Sequence, residues 1–263
     1  MITRIAAGFV AAVLSGPAFG LDISKYELVD LSHPYGSKTL YWPTSPSRFE
    51  KTTLAYGESD GGYFYSAFSI CTPEHGGTHL DAPLHFAKDG YPTDKVPLDN
   101  LIAPAVVIDV SEKAAANHNY LLSAADIQDF EEKYGRIESG TIVLLRTGWS
   151  RYWPDAKTYL GDDTPGDATN LVFPSYGEDA ARLLVEERNV AILGVDTAST
   201  DFGKSQDFVV HRIAAARQVS NLENLTNLAK LPPTGALVMA LPMKIEGGSG
   251  GPVRVVALVR KAR

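Results

Sequence analysis

Three of the chain's six histidines fall within the eleven-residue run His75-Gly-Gly-Thr-His79-Leu-Asp81-Ala-Pro-Leu-His85. His75, His79 and Asp81 supply two imidazole nitrogens and a carboxylate oxygen. This borderline-hard set suits Zn²⁺ or Mn²⁺ and leaves coordination positions open for water. A cation so held lowers the pKa of bound water and polarises a carbonyl, so hydrolysis of an amide is the natural use. His85, four residues beyond the carboxylate, is close enough to act as base or acid on that water. Its alternative role is that of an additional ligand or a support to one.

The i,i+4 spacing of His75 and His79 suits a helix, but Gly76, Gly77, β-branched Thr78 and Pro83 all oppose one. An extended segment is expected instead. In it His79, Asp81 and His85 share a face and the Gly-Gly pair brings His75 round. Trp42, beside Pro43, is placed to stack on a flat aromatic substrate, with Phe64 and Tyr65 adding to the same wall. The single cysteine, Cys71, has no intramolecular partner and is expected as a buried structural thiol. Residues 247–251, Gly-Gly-Ser-Gly-Gly, lack the Gly-Lys-Ser/Thr ending of a phosphate loop and read as a turn.

The elements that must carry these residues are legible as periodicities. Residues 26–31 and 63–70 have strand composition, the second alternating and leading directly into the metal segment. Compact apolar runs at 105–110, 141–146, 190–195, 236–240 and 253–259 have the length of buried strands. Ser123 caps a helix with Asp126 three residues on, and Gly135 ends it. Further helices are expected over 176–188 and 208–218. Together these predict an α/β domain over 21–263 with a central mixed β-sheet or half-barrel.

The histidine run resembles the H-x-G-T-H-x-D-x-P-x-H signature of the metal-dependent cyclase family, which includes bacterial kynurenine formamidases and isatin hydrolases. His75, Gly77, Thr78, His79, Asp81, Pro83 and His85 fill every fixed position. The likeness continues through Tyr41-Trp42-Pro43, Val195-Asp196-Thr197, His211, Leu222-Glu223-Asn224-Leu225, Ala240-Leu241-Pro242-Met243-Lys244 and Gly251-Pro252-Val253-Arg254, spanning residues 26–260. It implies a swivelling β/β/α fold and a homodimer. It also implies that His211 and Glu223 act as a catalytic pair or join a second metal, and that Mn²⁺ is preferred to Zn²⁺. Thr44-Ser45-Pro46 stands where many members carry Gly-Asp-Pro, a departure that falls on the substrate pocket.

Apolar residues make up 44% and charged residues 21% of the 263, ordinary for a globular protein, and the net charge of −7 without a basic stripe argues against a nucleic-acid partner. Residues 1–20 read as a secretory signal, with Arg4, an apolar stretch too short to span a bilayer and the small-x-small site Ala18-Phe19-Gly20. The expected location is therefore periplasmic or secreted, with no membrane association after signal removal. Export, the altered 44–46 segment and the family likeness favour opening of the lactam of isatin, a small aromatic cyclic amide, to isatinate. Hydrolysis of N-formylkynurenine is the alternative within the same chemistry. A non-catalytic periplasmic metal-dependent binding protein is the alternative from a different class.

Overall fold

Short runs of β-branched and apolar residues become the strands that build the molecule. The computed structural model describes residues 22–261, so the signal segment expected over 1–20 lies outside the described residues. The strands are β1 (Tyr26–Asp30), β2 (Glu50–Glu58), β3 (Phe64–Cys71), β4 (His79–Asp81), β5 (Ile102–Asp109), β6 (Leu121–Leu122), β7 (Ile142–Arg146), β8 (Ser175–Tyr176), β9 (Ile192–Val195), β10 (Ser220–Glu223), β11 (Ala236–Pro242) and β12 (Gly250–Arg260). Between them lie α1 (Leu98–Leu101), α2 (Ser111–Ala116), α3 (Ala124–Tyr134), α4 (Ala156–Leu160), α5 (Glu178–Arg182) and α6 (Val209–Ala216).

Eight strands form one mixed sheet in the order β1-β12-β11-β5-β7-β9-β10-β4, and β4 pairs back onto β12. Seven strands thus close a barrel, a fuller closure than the half-barrel expected. The long β12 makes it possible: Gly250–Pro252 pair with β4, while the stretch from Val256 to Arg260 pairs with β1. From β5 through β7 and β9 to β10 the strands are parallel, and the remaining pairings are antiparallel.

The central parallel strands β7 and β9 are buried on both faces and nearly all apolar, which is why these runs read as continuous. Ile142 and Leu144 fill the barrel with Leu80, Ile192, Leu222, Val238 and Val255. Val143 and Leu145, their alternates, face α3, α5 and α6 with Leu193, Val195, Ile127, Phe130, Ala180 and Ile213. Each of the larger side chains among them, Val, Leu, Ile or Phe, contributes roughly 1.5–3 kcal/mol on burial.

Helix α3 matches expectation: Ser123 Oγ accepts from the Asp126 N–H at 3.2 Å, Ser123 N–H donates to Asp126 Oδ2 at 2.8 Å, and Gly135 follows at φ 93°. The helix expected over 176–188 begins later, because Tyr176 belongs to β8. Its phenol instead reaches the Gly194 carbonyl at 2.8 Å. After Arg182 it widens into a turn closed by the Arg188 N–H on the Leu183 carbonyl. The third helix ends at Ala216, two residues early, as the chain leaves through a left-handed Gln218 at φ 60°.

Strands β2 and β3 form a separate hairpin that is exposed on both faces. This overturns the buried Cys71: the thiol sits at the base of the hairpin, opposite Glu50, and is exposed. Phe64 and Tyr65, expected as a substrate wall, stand on the same hairpin, each 54% exposed. No helix of the described residues is long and apolar enough to cross a membrane.

Candidate metal centre

The metal segment is shaped by what its glycines allow. A Cβ at Gly76 would lie 2.1 Å from Tyr41 Cδ1, and one at Gly77 would lie 2.7 Å from Tyr35 Cζ, so two tyrosines close down on a backbone that only glycine can offer them. The Tyr35 hydroxyl then donates to the Gly76 and Thr78 carbonyls at 2.5 and 2.9 Å. Beyond this bend the chain enters β4, where Leu80 fills the barrel while His79 and Asp81 share the opposite face.

Strand β10 lies against β4 with Glu223 directly opposite His79. The cross-strand register brings a carboxylate from far along the chain to the histidine run. His85 arrives differently from the expected strand alternation. The extended backbone stops at Asp81, Pro83–His85 form one 3₁₀ turn, and the turn lays the His85 ring on His75, centroids 3.8 Å apart and 18° from parallel.

Five side chains converge. His75 Nδ1 and His79 Nε2 lie 2.6 and 3.1 Å from Asp81 Oδ1. His211 Nε2 is 3.2 Å from both Asp81 Oδ2 and Glu223 Oε1, and His79 Nε2 is 3.6 Å from Glu223 Oε2. They make two overlapping donor sets, His75–His79–Asp81 and Asp81–His211–Glu223, sharing Asp81.

Electrostatics shows that this set is short of positive charge. Burial pushes the His79 imidazole down, yet Asp81 and Glu223 outweigh it and hold it up to about 9. Burial likewise opposes His211, but Asp201, Asp81 and Glu223 raise it well above the ordinary histidine range. Burial pushes the Asp81 carboxyl up and the surrounding imidazoles overcome it, holding it well below the carboxylate range. Imidazoles that retain protons among buried carboxylates are a site that a divalent cation fits, displacing those protons. His85 is the exception, pushed down to about 4 chiefly by burial and hence neutral near pH 7.

Each imidazole is also oriented from behind, as in metal sites generally. His79 Nδ1–H donates to the Gly77 carbonyl at 3.0 Å, leaving Nε2 for the site. The His75 Nε2–H donates to Ser249 Oγ at 2.8 Å, whose own proton goes to Glu74 at 2.6 Å, leaving Nδ1 for the site. His211 Nδ1 is held by Asp201 at 2.5 Å, and the same carboxylate accepts from the Val210 and His211 N–H groups at the start of α6. Asp201, Glu74 and Ser249 carry no spacing signal. The segment around Ser249, read from sequence as a turn, packs against the site: a Cβ at Gly250 would lie 2.6 Å from the His75 ring.

The donor set forms the floor of a cavity of about 460 Å³, whose walls include Trp42, Phe86, Leu160 and Phe208. Trp42 is where the sequence reading put it; Phe64 and Tyr65 do not line the cavity, and Phe86 and Phe208 take their place. Thr44, Ser45 and Pro46 form part of the rim. Phe208 is held in a left-handed conformation, φ 50°, unusual for a bulky residue and of a kind that collects at ligand sites.

A family model for cyclases, described as Putative cyclase, matches residues 29–202. Isatin hydrolase of Roseibium aggregatum is 34% identical, over 95% of this chain and 98% of its own length. Kynurenine formamidase of Salinibacter ruber is 29% identical, over 87% of this chain and 96% of its own. A crystal structure of an isatin hydrolase bound to the product analogue thioisatinate superposes with a TM-score of 0.83 at 32% identity, covering 90% of this chain and 94% of that one.

Proposed function

Since the chain belongs to the cyclase family and is a metal-dependent hydrolase of amide C–N bonds, we propose that it opens the lactam ring of isatin to isatinate. The observation that carries this reading is a single cavity with a His75–His79–Asp81 floor and walls of Trp42, Phe86 and Phe208. Aromatic walls favour a flat, fused-ring amide over a flexible one. The relative bound to thioisatinate supports the same choice. Hydrolysis of N-formylkynurenine is the second reading, supported by the kynurenine formamidase relative at 29% identity.

When bound on His75, His79 and Asp81, a divalent cation supplies Lewis acidity and an acidified water; Mn²⁺ is our preferred ion and Zn²⁺ the alternative. The chain's own residues do the rest. His85, neutral and stacked over His75, accepts the proton lost when water adds to the carbonyl carbon. Trp42 and Phe208 hold the ring plane so that this carbon faces the floor. His211 and Glu223, 3.2 Å apart, deliver a proton to the departing anilide nitrogen, a poor leaving group unless protonated. A second cation in the Asp81–His211–Glu223 set would remove that role, and two bound ions per chain by elemental analysis would decide against it.

We further propose export through residues 1–20, which a secreted protein still beginning at Met1 would contradict. The homodimer has its support in the β2–β3 hairpin, whose Leu54, Tyr56, Phe64, Tyr65, Phe68 and Ile70 are exposed. The deciding experiment is a paired assay of metal-loaded protein on isatin and N-formylkynurenine. A kcat/KM at least about tenfold higher on isatin is expected. The reverse order would establish the formamidase reading, and turnover of neither would overturn both.

A further inference from the structure

Asn224 is buried, adopts a left-handed backbone at φ 55° and makes two hydrogen bonds to the metal segment, one from its side chain and one to its own carbonyl. Its Nδ2 donates to the Gly77 carbonyl at 2.8 Å, the same carbonyl that accepts the His79 Nδ1–H at 3.0 Å. Its own carbonyl accepts from Thr78 Oγ at 2.7 Å, and its N–H donates to the Thr197 carbonyl at 2.8 Å. The Gly77 carbonyl, which can only accept, sets the orientation of the amide and leaves Oδ1 2.9 Å from the buried Tyr159 hydroxyl, which also lies 3.2 Å from the Asp196 carbonyl. Asn224 also directly follows Glu223 and so ties the end of β10 to Gly77 and Thr78, the residues that lead from His75 into β4.

We propose that Asn224 is a positioning residue for the metal centre, fixing through the Gly77 carbonyl the tautomer and aim of His79 and locking the Glu223 strand in register with it. Asparagine suits the place for two physical reasons. It tolerates the left-handed backbone better than most residues, and its amide supplies a donor toward Gly77 and an acceptor toward Tyr159 at once. The proposal rests on the reading of His75, His79 and Asp81 as metal ligands.

A matched pair of variants separates positioning from plain structural support. Asn224→Gly keeps the left-handed backbone and removes the amide. Asn227→Gly makes the same change at φ 58°, where Nδ2 donates at 2.8 Å to the Asp30 carbonyl, remote from the donor set. Metal-free protein is titrated with Mn²⁺ and Zn²⁺ by calorimetry, with Tm recorded for each apo form. Metal Kd is expected to rise about 10–100-fold in Asn224→Gly, as for loss of other outer partners of a ligand, and to stay within about twofold of wild type in Asn227→Gly. Tyr159→Phe removes the donor to Asn224 Oδ1 while leaving the Gly77 contact, and should weaken binding in the same direction by a smaller factor, which keeps the test open if Asn224→Gly fails to fold. Wild-type affinity in both Asn224→Gly and Tyr159→Phe, or equal weakening in Asn227→Gly, would overturn the positioning role. Absence of binding in the wild type would instead overturn the metal centre itself.

Discussion

At the scale of single residues the two candidate histidine ligands on the run are prepared by opposite means, His79 by a backbone carbonyl and His75 by the Ser249–Glu74 pair. Ser249→Ala removes the acceptor from His75 Nε2 and frees the ring to rotate. We expect metal Kd to rise about 10–100-fold with Tm little changed, measured by competition with a chelator. His85 touches the site by stacking on His75 and lies outside both donor sets. His85→Ala should lose about 10²–10⁴-fold in kcat as a lost general base while keeping full metal stoichiometry. A variant that loses its metal would make His85 a ligand. The histidine run itself was readable because its donors are near in sequence. Asp201 and Glu74 were not, and Asn224 stood out only as part of a family landmark, since all three act on the donor set through contacts between separate segments.

At the scale of elements, α3 offers a clean test because its capping network shares no residue with the donor set. Burial raises the Asp126 carboxyl, but Lys113, the Ser123 N–H and hydroxyl, and Tyr120 outweigh it and hold it near 2. The unfolded chain therefore takes up this proton first as pH falls. The stabilisation is fully present above about pH 4, the unfolded-state range, and is lost as pH drops through about 2. Asp126→Asn should cost about 1 kcal/mol at pH 7 in urea unfolding, typical of a weakened cap, and the gap to wild type should shrink toward pH 2. A constant gap across that range would show the carboxylate charge to be irrelevant. The capping box was legible because capping is local. The strand of β4 was legible for its glycines and Pro83, yet the 3₁₀ turn that carries His85 was not, since alternation alone continued the strand.

At the scale of the molecule, the hairpin β2–β3 is the unpartnered feature, with apolar side chains on both exposed faces and one Lys51 ammonium over the Phe68 ring at 3.8 Å. If a second copy covers it, replacing Tyr56 and Phe68 by Asp should shift the mass by light scattering from dimer to monomer while leaving metal stoichiometry intact. A monomeric wild type would remove the hairpin's assigned partner.

Taken alone, the sequence determined the donor chemistry, the α/β class, most of the strands and the aromatic residue Trp42 at the pocket, because ligand types, apolar periodicity and caps are written within a few neighbouring positions. Tertiary structure alone decided that the sheet closes through β12 onto β4, that Glu223 faces His79, that Cys71, Phe64 and Tyr65 are exposed, and that Phe86 and Phe208 wall the cavity. An exposed hairpin and a buried strand share the same alternating composition, and only the presence or absence of a covering layer distinguishes them. Register between strands more than a hundred residues apart likewise leaves no local trace, since it is set by how the barrel closes.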